Sequence, residues 1–253
     1  KYRRILTGSP VTKSPLDLYS QCEFLDPYHL GHQSYYSFRA RYANMIDRNF
    51  GGRRVQIVGS YRRLPELTEK LDKFSYRVLK EECLDLPPKV FTKRLVELTD
   101  EQKKVYAQMK RMAIAELDGK VMSTVNVMTQ LMRLHQVTCG HFKADDQTVR
   151  PVKNNRITAL LELLEETEGK VIIWANYVED IKNIVAALKK AYGDASTVEY
   201  HGAVDAGVRQ EQIALFQQKN GPTRYFVGNT QTGGYGITLT AANTVVYYSN
   251  NYD

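Results

Sequence analysis

Residues 223–248 read Thr-Arg-Tyr-Phe-Val-Gly-Asn-Thr-Gln-Thr-Gly-Gly-Tyr-Gly-Ile-Thr-Leu-Thr-Ala-Ala-Asn-Thr-Val-Val-Tyr-Tyr. Arg224–Val227 and Thr244–Tyr248 are compact β-prone runs, so the stretch predicts strand, glycine loop, short turn, strand. Gly233, Gly234 and Gly236 lie between them, beside the hydroxyls of Thr230, Thr232, Thr238 and Thr240. Glycine admits positive φ and close approach of another molecule. Exposed N–H groups and neighbouring hydroxyls suit phosphate oxygens. A Gly-Gly-x-Gly alone fits a tight turn between two strands equally well, so the surrounding chain decides.

Upstream of the loop, from Asn155, the chain alternates short units. Ile157, Leu160, Leu161 and Leu164 stripe a helix ended by Gly169-Lys170. Val171–Trp174 reads as a buried strand, Val178–Leu188 as a helix, Thr197–Tyr200 as a strand and Asp205–Lys219 as a helix. Alternation of this kind predicts a parallel α/β sheet with right-handed crossovers. Ligands of such sheets gather beyond the carboxyl ends of the strands. Ala175-Asn176-Tyr177, His201-Gly202-Ala203 and the glycine loop all fall there.

The first part of the chain has another texture. Ile5-Leu6 reads as a strand end and Thr7-Gly8-Ser9-Pro10 as the turn after it, an opening expected of a piece cut from a longer protein. Ser14-Pro15 starts a helix. Tyr35, Tyr36, Phe38, Arg39, Arg41 and Tyr42 interleave rings with arginines, a pattern that suits a nucleic-acid surface but more often a helical core. Gly51–Arg54 is a turn. Leu64, Leu67, Leu71 and Phe74 recur at helical spacing. Pro87-Pro88 interrupts regular structure, Val90–Leu98 alternates as a strand would, and Thr99–Gln102 opens a helix with acidic residues in its first turn. A second helix carries Val125, Met128, Leu131, Met132 and His135, read as packing residues.

Charge is unevenly spread. The net charge is +7; residues 1–150 hold 26 Lys/Arg against 17 Asp/Glu, and residues 151–253 hold 9 against 11. A basic segment beside a nearly neutral one suits contact with an anionic polymer. Cys22, Cys83 and Cys139 are few, odd in number and far apart, as expected of free thiols in a reducing cell interior. Cys139-Gly-His141 lacks a second Cys/His pair nearby, so structural roles are expected. No apolar run is long enough to span a bilayer, and no partnership with a membrane is expected.

Taken together, these stretches resemble the Snf-family (Swi/Snf-type) ATPases of helicase superfamily two. Arg3–Pro10, with Leu6-Thr7-Gly8-Ser9-Pro10, is similar to the family's third motif, Arg-x-x-Leu-Thr-Gly-Thr-Pro. Leu67, Leu71, Phe74, Arg77, Leu79 and Leu86-Pro87-Pro88-Lys89 follow a family pattern, as does Gln130–His141. Lys170–Asn176 resembles the fourth motif, joined by Tyr200-His201-Gly202 and Arg209-x-x-x-Ile213-x-x-Phe216. Asn229–Val245 resembles the fifth motif, usually Ser-Thr-x-Ala-Gly-Gly-x-Gly-x-Asn-Leu-x-x-Ala; it departs at Asn229, Thr232 and Thr238.

The resemblance implies an α/β fold truncated at both ends. Residues 1–12 would end a first RecA-like lobe, 13–150 would form a mainly helical basic insertion, and 151–253 an incomplete second RecA-like lobe with a parallel sheet. The whole protein would be an ATP-dependent translocase on double-stranded DNA inside the cell, using ATP and Mg. Thr7, Gly8 and Ser9 would couple nucleotide state to the lobe interface. Asn176, His201, Gly202, Asn229 and Thr230 would hold backbone phosphates, while Gly234 and Gly236 would approach the nucleotide. No G-x-x-x-x-G-K-[ST] loop, magnesium box or arginine-finger motif lies within these 253 residues, so the segment by itself is expected to be inactive and to bind no cofactor tightly. Two other readings remain: another superfamily-two motor (an RNA helicase or restriction-enzyme motor), or a non-catalytic nucleic-acid-binding scaffold.

Overall fold

Two stretches of chain, Lys1–Phe91 and Thr92–Asp253, each pack on themselves in a computed structural model that describes residues 2–50, 52–85, 87–119, 124–144, 148–234 and 236–250.

In the first unit a 3-10 turn over Pro15–Asp17 leads into α1 (Leu18–Leu25). Ser14 Oγ accepts from the Leu16 N–H, and Asp17 Oδ2 accepts from the N–H groups of Thr12, Lys13 and Ser14 at 3.0–3.2 Å. These donors, led by that of Lys13, hold the Asp17 carboxyl below its usual range. α2 (Tyr35–Tyr42) divides its rings: Phe38 and Tyr42 enter the core, while exposed Tyr36 lies under the Arg39 guanidinium, 5.3 Å from its centroid. Next come antiparallel β1 (Ala43–Phe50) and β2 (Arg53–Tyr61). Their register skips Gly59, a one-residue bulge that bends and twists the ribbon. This strand pair sits inside a region whose pattern predicts mainly helix. α3 (Leu64–Asp72) buries Leu67 and packs Leu71, with Phe74 just beyond it, on the core of Leu16, Cys22, Leu30, Phe38 and Tyr42. Glu66 receives Arg41 at 2.7 Å and the Tyr42 hydroxyl at 3.1 Å. A short α4 (Lys80–Cys83) follows.

Val90–Leu98, expected to be a strand, forms none. A strand needs a partner ladder; here the Glu97 carbonyl accepts instead from the Asn155 side chain at 3.0 Å, and Arg94 reaches Glu162 and Glu166.

The second unit begins with α5 (Asp100–Gly119), opened by reciprocal bonds. Thr99 Oγ1 accepts the Gln102 N–H at 3.2 Å and Gln102 Oε1 accepts the Thr99 N–H at 3.0 Å, a capping box with glutamine as its third residue. Buried Gln102 also donates to the carbonyls of Val137 and Thr138 near the end of α6 (Thr124–Cys139), groups that a helix terminus leaves open. Thr99 Oγ1 donates to the Lys153 carbonyl at 2.7 Å. Residues 92–150 are thereby tied into the second unit.

Antiparallel β3 (His141–Lys143) and β4 (Val149–Pro151) lead to α7 (Arg156–Glu165), β5 (Lys170–Trp174), α8 (Val178–Tyr192), β6 (Thr197–Tyr200) and α9 (Ala206–Gln217). β7 (Tyr225–Gly228), a one-turn α10 (Thr230–Gly233) and β8 (Ala242–Tyr247) complete the described elements. The sheet order is β6-β7-β5-β8, all parallel. Alternate residues of a strand face opposite sides, so Val171, Ile173, Tyr225 and Val227 meet Leu160, Leu164, Ile181, Ile184 and Leu188 on one side. Ile172, Trp174, Val198, Tyr200 and Phe226 meet Phe216 on the other. Burial on both faces explains the continuous apolar strands seen in the sequence.

Candidate nucleic-acid interface

The strand ends are level: Trp174 pairs with Gly228 and Tyr247, and Tyr200 pairs with Gly228. One further bond follows each pair. The Ala175 N–H reaches the Gly228 carbonyl at 2.9 Å, that of Asn229 the Tyr200 carbonyl at 3.0 Å, and that of Tyr248 the Trp174 carbonyl at 2.8 Å. The chains then leave the sheet. This topology gathers Asn176, His201, Gly202, Asn229 and Thr230 on one carboxyl edge.

Their side chains divide into two groups. Asn229 is buried and internally bonded: Oδ1 accepts from the Gln231 N–H at 2.8 Å, capping α10, and Nδ2 donates to the Asn176 carbonyl at 2.7 Å. His201 is buried as well. Its Nε2 lies 2.7 Å from Glu199 Oε1, and its Nδ1 receives the Ala203 N–H at 3.2 Å. That pairing fixes the Nε2–H tautomer, because Nδ1 must accept. By contrast the Asn176 amide and the Thr230 hydroxyl, both half-buried, make no side-chain hydrogen bond among the described residues. Gly202 is exposed and faces the Thr232 hydroxyl, 3.8 Å from where a Cβ would stand.

The glycines are sterically specified. A Cβ at Gly228 would meet the Tyr200 carbonyl at 2.8 Å, and one at Gly233 the Trp174 ring at 2.9 Å. At Gly234 it would stand 2.4 Å from the Thr230 carbonyl. Gly236 has φ +76° with open space around it. The expected loop therefore begins as a helical turn seated on Trp174; Tyr235 lies outside the described residues. Gln217 holds the far side of the loop, donating to the Thr238 carbonyl at 2.9 Å and accepting from the Ala241 N–H at 2.9 Å.

A buried polar layer supports the edge. Ser249 Oγ accepts from the Asn176 N–H at 2.8 Å and donates to buried Asp180 Oδ2 at 2.8 Å. His141 Nδ1 lies 3.2 Å from Asp180 Oδ1, within ion-pair range but out of line for a hydrogen bond. His135 Nδ1 meets the Tyr177 hydroxyl at 3.0 Å. Arg156 donates to the Tyr248 carbonyl at 2.7 Å. Burial, aided by Asp180, pushes the Cys139 thiol up to about 12 and also raises the Tyr248 phenol. Cys139 and His141 are both buried, and among the described residues no group of three His, Cys, Asp or Glu could hold a metal ion. Thr7, Gly8 and Ser9 belong to the first unit; they are exposed, and the Ser9 N–H donates to Thr7 Oγ1 at 3.1 Å.

Sequence reasoning missed the supporting residues Trp174, Asp180, Glu199, Gln217 and Ser249. Trp174 alone left a signal, as an aromatic ending an aliphatic strand.

The model of the SNF2-related domain matches residues 1–143, and that of the helicase conserved C-terminal domain matches residues 153–253. The chain belongs to the SNF2 family. Its relatives include the mouse DNA annealing helicase and endonuclease ZRANB3, 24% identical over 98% of this chain and 22% of that protein. Another is Protein CHROMATIN REMODELING 4 of Arabidopsis thaliana, 24% identical over the whole chain and 11% of that protein. The Sulfolobus solfataricus SWI2/SNF2 ATPase core domain shares the fold with a TM-score of 0.55 at 23% identity, over 92% of this chain and 47% of that one. The parallel sheet described above is therefore the second RecA-like lobe of this SNF2 fold. The chain spans about a quarter or less of the length of the curated relatives it matches. Among the described residues no helix is long and apolar enough to cross a membrane.

Proposed function

We propose that this chain is the C-terminal part of an ATP-dependent motor that moves along double-stranded DNA inside the cell and remodels protein–DNA or DNA structures. The observation that carries this reading is the carboxyl edge of the SNF2-type sheet, where two uncommitted polar side chains, Asn176 and Thr230, stand beside exposed Gly202. Short polar groups and open backbone are what phosphate oxygens need. His201 and Asn229 act through position: each ties a strand-end loop down, leaving Gly202 and Thr230 to meet the strand. Such contacts carry no base information, so sequence preference is weak and binding falls steeply with salt.

ATP is the substrate of the whole motor. The chain's own donor set does not cradle it, for no phosphate loop occurs in the sequence. Gly234 and Gly236 are the positions that approach the nucleotide, and Thr7-Gly8-Ser9 couples its state to the lobe interface. The remaining parts come from a first RecA-like lobe of the same protein, and these 253 residues alone do not turn over ATP.

ATP turnover by the full-length protein tests the proposal, with no nucleic acid, single strands, duplex DNA and duplex RNA in parallel. Stimulation by duplex DNA and its loss in Thr230→Ala are expected. Stimulation by RNA alone would reassign the motor to the RNA helicases. No turnover in any arm would leave a binding scaffold.

A further inference from the structure

The charge of the chain is concentrated in its first unit. Residues 1–91 carry 16 Lys/Arg against 10 Asp/Glu, whereas residues 92–253 carry 19 against 18. Within the first unit, residues 43–63 hold Arg48, Arg53, Arg54, Arg62 and Arg63 against Asp47 alone. This is the β1–β2 ribbon and its exit.

The register sorts these residues by face, since directly opposite residues share one. Met45 with Val58, Asp47 with Gln56 and Asn49 with Arg54 lie on one face. That face is committed: Val58 packs on the core and Arg54 pairs with Asp47. Ile46 with Ile57, Arg48 with Val55, and Arg53 lie on the other. There Ile46 and Val55 are exposed, and exposed Arg48 and Arg53 have no ion-pair or hydrogen-bond partner among the described residues. Arg48 and Arg53 are diagonal neighbours across the ribbon, about 7–8 Å apart at Cα. Two exposed guanidinium groups on one face, with no carboxylate bonded to either among the described residues, offer two donor forks to an anion.

We propose that this face of the ribbon seats in the major groove of duplex DNA, with Arg48 and Arg53 bonded to backbone phosphates. The dimensions fit, since strands lie about 4.8 Å apart and the B-form major groove, about 12 Å wide, admits a two-stranded ribbon. The major groove of A-form RNA is too deep and narrow for such entry. The assignment rests on the reading of the chain as part of a duplex-DNA motor, and adds a contact from the first unit that the carboxyl edge of the sheet does not supply.

Equilibrium binding of the full-length protein to a labelled DNA duplex, measured across salt concentration, tests it. Each lost phosphate contact lowers the slope of log affinity against log salt by about 1. Arg48→Gln and Arg53→Gln should each flatten it by about 1, and the double variant by about 2. Lys182→Gln with Lys190→Gln, an equal charge loss on exposed positions of α8, should leave the slope unchanged. Circular dichroism and thermal melting verify folding, and the single variants carry the test if the double one melts early. A slope in the arginine variants equal to the unaltered protein's would overturn the ribbon contact while leaving the motor reading intact. Failure of the unaltered protein to bind duplex DNA would overturn both. An equal loss on duplex RNA would overturn the groove geometry.

Discussion

The Asn229 side-chain amide donates to the Asn176 carbonyl at 2.7 Å, so the loops leaving β7 and β5 are tied together by a side chain beyond the reach of the sheet ladder. The same residue caps α10 through its other atom. Removing both bonds in Asn229→Ala should cost about 1–2 kcal/mol. Asn229→Ser, the residue usual in the family, restores only the cap. Asn229→Asp keeps the cap but sets a carboxylate oxygen against the Asn176 carbonyl, and should remain destabilised. Urea midpoints of the three variants check this; an Asp variant as stable as the parent would show that the amide-to-carbonyl bond contributes nothing.

Gly233 and Gly236 should respond differently to alanine, because one is confined by a ring and the other by its backbone. At Gly233 the new methyl would sit 2.9 Å from Trp174, and overpacking of this kind costs about 1–3 kcal/mol. At Gly236 only the positive φ is strained, worth roughly 1–2 kcal/mol. These 253 residues hold a single tryptophan, which makes the distinction visible in this chain. Gly233→Ala should shift the emission of Trp174 and Gly236→Ala should not. Identical spectra would mean that the turn does not rest on the ring.

Much of this was legible because it is local. A compact apolar run placed β5, period-3.6 stripes placed α3 and α7, and Thr99 with Gln102 is a cap written in four residues. The glycine loop was recognisable as a loop from its composition, and the family from the order of its motifs. What stayed hidden depends on partners far along the chain. Nothing near Glu97 announces that Asn155 will take its carbonyl and leave Val90–Leu98 without a ladder. Likewise no local pattern shows that His201 bonds to Glu199 or that the Asn229 amide bonds to the Asn176 carbonyl. The β1–β2 ribbon was obscured because Arg, Asn and Gly dilute the alternation of Val55 with Ile57 and leave Met45 followed by polar Asp47 and Asn49 on its own face of β1.

His201 offers a test of tautomer rather than of stability alone. Nε2 donates to Glu199 and Nδ1 accepts from Ala203, so nitrogen-correlated NMR at neutral pH should find the proton on Nε2. Glu199→Gln retains an acceptor and should preserve both the tautomer and the loop. Glu199→Ala leaves the buried Nε2–H without its acceptor, which should cost about 1–3 kcal/mol and weaken salt-dependent DNA binding by loosening Gly202. A mixture of tautomers in the parent would remove the basis for this positioning role.

The pH dependence of stability follows from groups that burial holds in their neutral form. Burial, with Arg156 adding to it, holds the His135 imidazole below its ordinary 6.5. As pH falls through about 6.5 the unfolded chain takes up a proton that the folded chain refuses, so stability declines toward acid. The decline ends once the folded imidazole titrates too. His32, lowered chiefly by its own burial, acts with the same sign. At the other end, burial raises the Cys139 thiol from 9.0 to about 12 and the Tyr225 phenol from 10.0 to about 12. Unfolded chains lose those protons first, so stability should fall again as pH rises from about 9 toward 12. Thermal midpoints between pH 5 and 11 at constant ionic strength should therefore pass through a maximum near neutrality. His135→Gln should shallow the acid limb and leave the alkaline limb alone, whereas Cys139→Ser should reduce the alkaline slope despite a lower midpoint overall. An acid limb unaffected by His135→Gln would assign it to His32, and His32→Gln in the same background would then have to flatten it.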